Sequence, residues 1–225
     1  MTKIYYFFIF AAVAFIIGLF AYNVVTYFYN VQKSDDLAIP VVKLYNETGG
    51  RSSAVHIGQG YFLTVSHAFS DDQEVLGLET NKGDAISADV IWNSKSYDIA
   101  LLHSELYQNV KIDYYEIDCS LLKVGDKLSF IGNPTHVDFA KSWGRVSTEK
   151  TQDVNIWRSV LVVNGSIIPG MSGGAAIDDR KRLRGINVGL LTHQTGNSMM
   201  GPIRTFTNFS YIVPSDDICF LMGKT

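Results

Sequence analysis

From Pro40 onward the apolar residues of this chain come in short runs, most of them flanked by Gly, Asn, Asp, Ser or Pro. The runs are VVKLY, SAVHI, YFLTVS, ADVIW, DIALLH, KLSFIG, WGRVST, SVLVV, GAAID, GINVGLL and FSYIV. They are rich in β-branched and aromatic side chains, which suit a pleated, half-buried surface. Many short strands with frequent turns point to an all-β sandwich or barrel. The last segment, SDDICFLMGK, differs and reads as a helix, with Ser215 as N-cap and Asp216 and Asp217 in its first turn. A chain of 225 residues supplies one such domain and an appendage.

The appendage is the amino-terminal segment. Between Ile4 and Tyr29 no side chain is charged. As a helix those residues reach about 39 Å at about 1.5 Å each, enough for a hydrocarbon core of about 30 Å with tilt. Tyr5, Tyr6 and Phe7 flank one end and Tyr27, Phe28 and Tyr29 the other, where aromatic rings favour membrane interfaces. Residues 4–29 are therefore expected to form a transmembrane anchor helix, 30–39 a polar tether, and 40–225 the folded domain. The competing reading is a signal peptide cleaved after Ala21, but Leu19 suits such a site poorly and the apolar run continues past it. Lys3 and the terminal amine before the span lean towards an extracytoplasmic domain. The formal net charge of −3 gives no basic face, which argues against nucleic acid as a partner. The run DDRKR, Asp178 to Arg182, reads as a solvated hairpin turn. Cys119 and Cys219 are too few for a disulfide framework or a zinc cluster. A bridge in an oxidising compartment and two buried thiols both remain open.

Chemistry gathers at three places. YFLTVSHAF sets His67 just past a strand, SYDIALL sets Asp98 at the start of another, and PGMSGGA sets Ser172 in a glycine turn. A serine hydroxyl needs an adjacent base to attack at neutral pH, and imidazole titrates in the range to serve as one. A carboxylate on the second ring nitrogen fixes the tautomer and stabilises the imidazolium. The attacked carbonyl becomes an oxyanion, for which backbone N–H groups are ready donors. Gly170 can take a backbone angle that aims its amide and that of Ser172 at one point, while Gly173 and Gly174 allow close backbone approach. His56, His103, His136 and His193 lack such surroundings and read as surface or core residues.

Over roughly residues 50–222 the chain resembles the chymotrypsin/trypsin-like serine proteases, and most closely their HtrA/DegP branch. GYFLTVSHAF, VGDKLSFIGNP, RGINVGLL and FSYIVPSDDI carry the likeness, along with PGMSGGA. The resemblance implies two packed antiparallel β-barrels with the active site between them, closed by a C-terminal helix. It implies His67 as general base, Asp98 as its orienting acid and Ser172 as nucleophile, with Gly170 and Ser172 giving the oxyanion-hole amides. Asn187, Val188, Gly189 and Leu190 would take substrate backbone and wall the primary pocket, and Ser166 would form its floor. An uncharged floor points to a small or medium apolar residue at the cut site. Protein or peptide substrates are implied, with no metal and no cofactor. Met171 stands where the zymogen-activated digestive enzymes have an aspartate, so activation by amino-terminal trimming is not expected. The branch usually carries a peptide-binding PDZ domain after the protease, and only a few residues follow the expected helix here, so its peptide gating and its trimeric or larger assembly are not among the expectations. The expected activity is a membrane-anchored serine endopeptidase in protein quality control or processing. Two rivals are a protease-fold binding or chaperone module with little turnover, and a serine esterase.

Overall fold

The computed structural model describes residues 15–22, 38–154, 157–198 and 201–224. Residues 15–22 form helix α1, with Phe15, Ile16, Ile17, Leu19, Phe20 and Tyr22 all exposed. The rest of the expected anchor, and the tether up to residue 37, lie outside the described residues. No described helix is long and apolar enough to cross a membrane.

A separate compact unit begins at Ala38. Its first half is a closed six-stranded barrel of β1 (Val41–Tyr45), β2 (Arg51–His56), β3 (Tyr61–Thr64), β4 (Val75–Glu79), β5 (Ala85–Ser94) and β6 (Ile99–His103). The order around the barrel is β1-β2-β3-β6-β5-β4, every pair antiparallel. Closure leaves no free edge, and the inward residues fill the lumen. Leu44, Val55, Phe62, Leu63, Leu76, Leu78 and Leu102 are all essentially inaccessible.

The second half holds β7 (Lys127–Gly132), β8 (Ala140–Val146), β9 (Thr151–Val154), β10 (Trp157–Asn164), β11 (Ala175–Ile177), β12 (Leu183–Ser198) and β13 (Gly201–Pro214). Six of them run β13-β12-β11-β7-β8-β10, and β10 pairs back on β13 to close the ring. β9 is appended to the first half of β10. The expected all-β, two-barrel domain is therefore the observed one. One buried cluster takes side chains from both halves, including Val41, Leu63 and Ile99 on one side and Val160, Leu183 and Ile186 on the other. Burial of that shared face holds the barrels together.

Helix α2 (Ser215–Leu221) closes the chain and buries Ile218 and Cys219. Its cap differs from expectation. Pro214 occupies the N-cap position in an extended conformation, and Ser215 is the first helical residue. The Ser215 hydroxyl donates to the Asp118 carbonyl rather than capping a helix amide. The first-turn carboxylates do find partners: Lys150 bonds Asp216 and Asp217, and the Ser159 hydroxyl donates to Asp217. Cys119, in the segment between the barrels, is disulfide-bonded to Cys219 in α2, with the Cα atoms 5.8 Å apart. The structure thus decides for the bridge over two thiols.

Candidate active site

Antiparallel pairing explains how residues 31 positions apart meet. β3 lies beside β6, with Thr64 opposite Ala100. The end of β3 and the start of β6 are therefore neighbours. His67 follows Thr64 on a single 3-10 turn, Ser66–Ala68, and Asp98 immediately precedes Ile99. Asp98 adopts φ +56°, a left-handed conformation uncommon for a residue with a side chain. It closes a turn in which its N–H donates to the Lys95 carbonyl.

Asp98 is buried, and its carboxylate accepts three hydrogen bonds. Oδ1 takes the His67 backbone N–H at 2.9 Å. Oδ2 takes His67 Nδ1–H at 2.6 Å and Trp157 Nε1–H at 2.9 Å. An ionised carboxylate only accepts, so the neutral imidazole carries its proton on Nδ1 and offers a lone pair on Nε2. The His67 side chain is 41 % exposed, against 2 % for that of Asp98. The histidine faces solvent and the aspartate does not.

The glycine turn, Pro169 to Gly174, packs against the same end of β2 and β3. The Ser53 N–H donates to the Ser172 carbonyl at 2.8 Å. The Ser53 hydroxyl donates to the Gly170 carbonyl at 2.8 Å and accepts the Asn133 N–H at 2.8 Å. Ser53 comes from β2 and Asn133 from the residue after β7, so this link spans both barrels. Gly170 has φ +94° and Gly173 φ +82°. A Cβ on Gly173 would stand 2.0 Å from the Ser53 carbonyl oxygen and 2.5 Å from Thr64 Oγ1, so no larger residue fits there.

Within the turn some amides are paired and two are not. Met171 N–H donates to Ile168 O, Gly173 N–H to Asn187 O and Gly174 N–H to Met171 O. The amides of Gly170 and Ser172 have no acceptor among the described residues. Such donors, fixed in place by the bonds around them, suit a developing oxyanion. Met171 itself is buried in the second barrel, packed with Phe130, Ile167 and Ala176.

The other expected substrate-contact residues divide. Ser166 is exposed, and its carbonyl accepts the Ser142 hydroxyl at 2.7 Å. Asn187 is fully buried and turns its amide away from the surface, to the Ile131 carbonyl at 3.2 Å. Its backbone instead braces the turn through Gly173 and Gly174. Val188 packs in the shared core, while Gly189 and Leu190 are partly exposed. Three supporting residues escape sequence reasoning: Ser53, Asn133 and Trp157. Their bonds join positions 59 to 117 residues apart, and nothing local marks them.

Known proteins share this fold. The family model for the trypsin-like peptidase domain matches residues 52–186, more than half of the chain. A probable periplasmic serine endoprotease, DegP-like, of Buchnera aphidicola is 30% identical over 159 residues, covering 67% of this chain and 33% of its own. The periplasmic pH-dependent serine endoprotease DegQ of Escherichia coli is 28% identical over 155 residues, with 68% and 33% covered. The chain thus spans about a third of the length of the curated relatives it matches. Among solved structures, the HtrA-type protease AlgW with tripeptide superposes with a TM-score of 0.67 at 22% identity, covering 86% of this chain and 62% of that one. A serine endoprotease from Yersinia pestis gives 0.64 at 24% identity, covering 86% and 65%. These likenesses speak for the fold. By the family match, this chain belongs to the trypsin-like peptidases and has HtrA/DegP serine proteases among its relatives.

Proposed function

We propose that the chain is a serine endopeptidase in which His67, Asp98 and Ser172 form the triad. In this reading Ser172 Oγ attacks the scissile carbonyl while His67 Nε2 takes its proton. Asp98 holds the ring and stabilises the imidazolium. The carbonyl oxygen becomes an oxyanion held by the Gly170 and Ser172 amides. The proton then passes from His67 to the leaving amine, and the amide bond breaks to give an acyl-enzyme. Water, deprotonated by His67, attacks the ester, and Ser172 recovers its proton as the acid product leaves. Residues 188–190 would take substrate backbone and Ser166 would floor a pocket for a small or medium apolar side chain.

The observation that carries this reading is the pair of amides, Gly170 and Ser172, without an acceptor among the described residues, on a turn braced against β2, the neighbour of the strand that leads to an aspartate-bound histidine. The turn's shape is costly without such a use, since Gly170 and Gly173 both need positive φ.

The domain organisation belongs to the same proposal: an anchor at 4–29, a tether at 30–39 and the protease at 40–225. Helix α1 is apolar on every side, which suits a lipid surrounding. The Cys119–Cys219 bridge suits an oxidising compartment, as does the periplasmic naming of the relatives. A protease domain held outside the cytoplasm near a membrane would serve protein quality control or the processing of a membrane-proximal partner.

The test uses the full chain in detergent with a fluorophosphonate probe and a denatured protein substrate. Wild type should be labelled at Ser172 and should cut the polypeptide. Ser172→Ala should lose labelling and lose turnover by roughly a millionfold. Absence of labelling overturns the enzyme reading in favour of a binding module. Cleavage of simple esters with every peptide left intact overturns the peptidase.

A further inference from the structure

The third bond to Asp98 comes from the other barrel. Trp157 opens β10, is 9 % exposed, and directs Nε1–H at Oδ2 across 2.9 Å. The next residue continues the contact. Arg158 N–H donates to the Ser96 carbonyl at 2.7 Å, and its guanidinium lies 5.8 Å from the Tyr97 ring centroid. Two consecutive residues of the second barrel thus grip the turn that carries Asp98 in its left-handed conformation. A residue in that conformation persists only where its surroundings over-determine it.

The benzo ring of the same indole meets another part of the site. A Cβ placed on Gly189 would lie 3.0 Å from Trp157 Cη2 and 3.2 Å from Cζ2. Gly189 falls where β12 slips register against β13, between the pairs Asn187–Ile212 and Gly189–Tyr211. The Tyr211 ring packs on Trp157 with centroids 5.1 Å apart. The indole is therefore wedged between the buried acid and the partly exposed strand.

We propose that Trp157 is a positioning residue that couples the strand offered to substrate to the acid of the triad: its N–H holds Asp98 while the adjoining benzo-ring edge fills the space left by Gly189. The inference rests on the reading of Asp98 and Gly189 given above. Nε1–H is already seated on the carboxylate without peptide, and peptide laid along residues 188–190 bears on the same indole and stiffens that contact.

Trp157→Phe keeps an aromatic ring and removes the N–H. It should lower kcat about tenfold, the scale of one hydrogen bond to a charged group, and leave KM within about twofold. Gly189→Ala should lower kcat in the wild-type background and add little to Trp157→Phe, because both act through one ring. A pure packing role predicts additive losses with KM and kcat moving together, and that result overturns the proposal. A second measurement does not need turnover. The sequence has three tryptophans, and the Trp157 indole N–H resonance is assigned by its loss in Trp157→Phe. In Ser172→Ala, an added peptide of apolar sequence should shift that resonance, and Gly189→Ala should abolish the shift. An unmoved signal with bound peptide overturns the coupling. Where wild type neither labels nor cuts, the enzyme reading has failed; where wild type cuts and Trp157→Phe keeps its kcat, the coupling alone has failed.

Discussion

At the scale of single residues, His56 shows how burial sets a protonation state without any catalytic purpose. Its ring is 3 % exposed and stacks at 4.8 Å on Phe62. The Gly60 N–H donates to Nε2 at 3.3 Å, so Nε2 is the acceptor and Nδ1–H donates to the Asp113 carbonyl at 2.8 Å. Burial pushes this imidazole below its ordinary value, outweighing the Asp113 contact, which acts the other way. The sign of the linkage follows. Above about pH 6.5 His56 is neutral in folded and unfolded chains alike, and it has no effect on the balance. As pH falls below that value the unfolded chain takes up a proton that the fold resists, and stability drops until the folded value is reached. Urea midpoints measured at pH 7 and pH 5 should therefore fall more for wild type than for His56→Gln. An equal fall in both would acquit His56.

At the scale of elements, β2 matters more for the glycine turn than its sequence suggests. Ser53 ties two carbonyls of that turn to barrel one and accepts the Asn133 amide of barrel two. Its own carbonyl accepts Thr64 Oγ1–H at 2.7 Å. Ser53→Ala leaves the buried Asn133 N–H without that acceptor and frees the Gly170 peptide to rotate. An unsatisfied buried group costs about 1–3 kcal/mol, so the urea midpoint should fall, and probe labelling of Ser172 should slow about tenfold. Unchanged labelling would show that the turn holds its shape without the hydroxyl. The strands that alternate or run apolar, such as VVKLY and KLSFIG, are legible from sequence with their bounds intact. VLGLE and TQDV are not. In β4, Gly77 interrupts a short pattern whose inward residues are Leu76 and Leu78. β9 is a polar strand at the edge of β10, stabilised by backbone pairing rather than by an apolar face. β12 and β13 outrun their apolar cores for the same reason, pairing on to Ser198 and Gly201. Periodicity reports burial, and it falls silent where pairing alone makes a strand. The His67–Asp98 contact was legible because strand ends carry both residues; the Trp157 contact was not, because it depends on how two barrels dock.

At the scale of the molecule, the Cys119–Cys219 bridge joins the inter-barrel segment to the closing helix across 100 residues of sequence, enclosing the whole second barrel. The surroundings are already ordered by polar contacts. Asp118 accepts the Ser120 N–H, the main reason its carboxyl lies below the usual range, and it bonds Arg184 and Arg182, whose charges act the same way. Ser215 ties α2 to the Asp118 carbonyl. The cross-link therefore adds little new order to the folded state and acts chiefly by restricting the unfolded one. Loop-closure entropy puts a bridge of that span at about 5 kcal/mol, against about 2–4 kcal/mol for typical bridges. Cys219→Ser, or reduction of wild type, should lower the urea midpoint accordingly, with barrel one keeping its near-native signal at Trp92 while α2 and the adjoining end of β13 lose protection from hydrogen exchange first. Unfolded but unreduced protein should show no thiol to Ellman's reagent, and two after reduction. A midpoint indifferent to reductant, or thiols that titrate without it, would mean that polar contacts and core burial close the second barrel unaided.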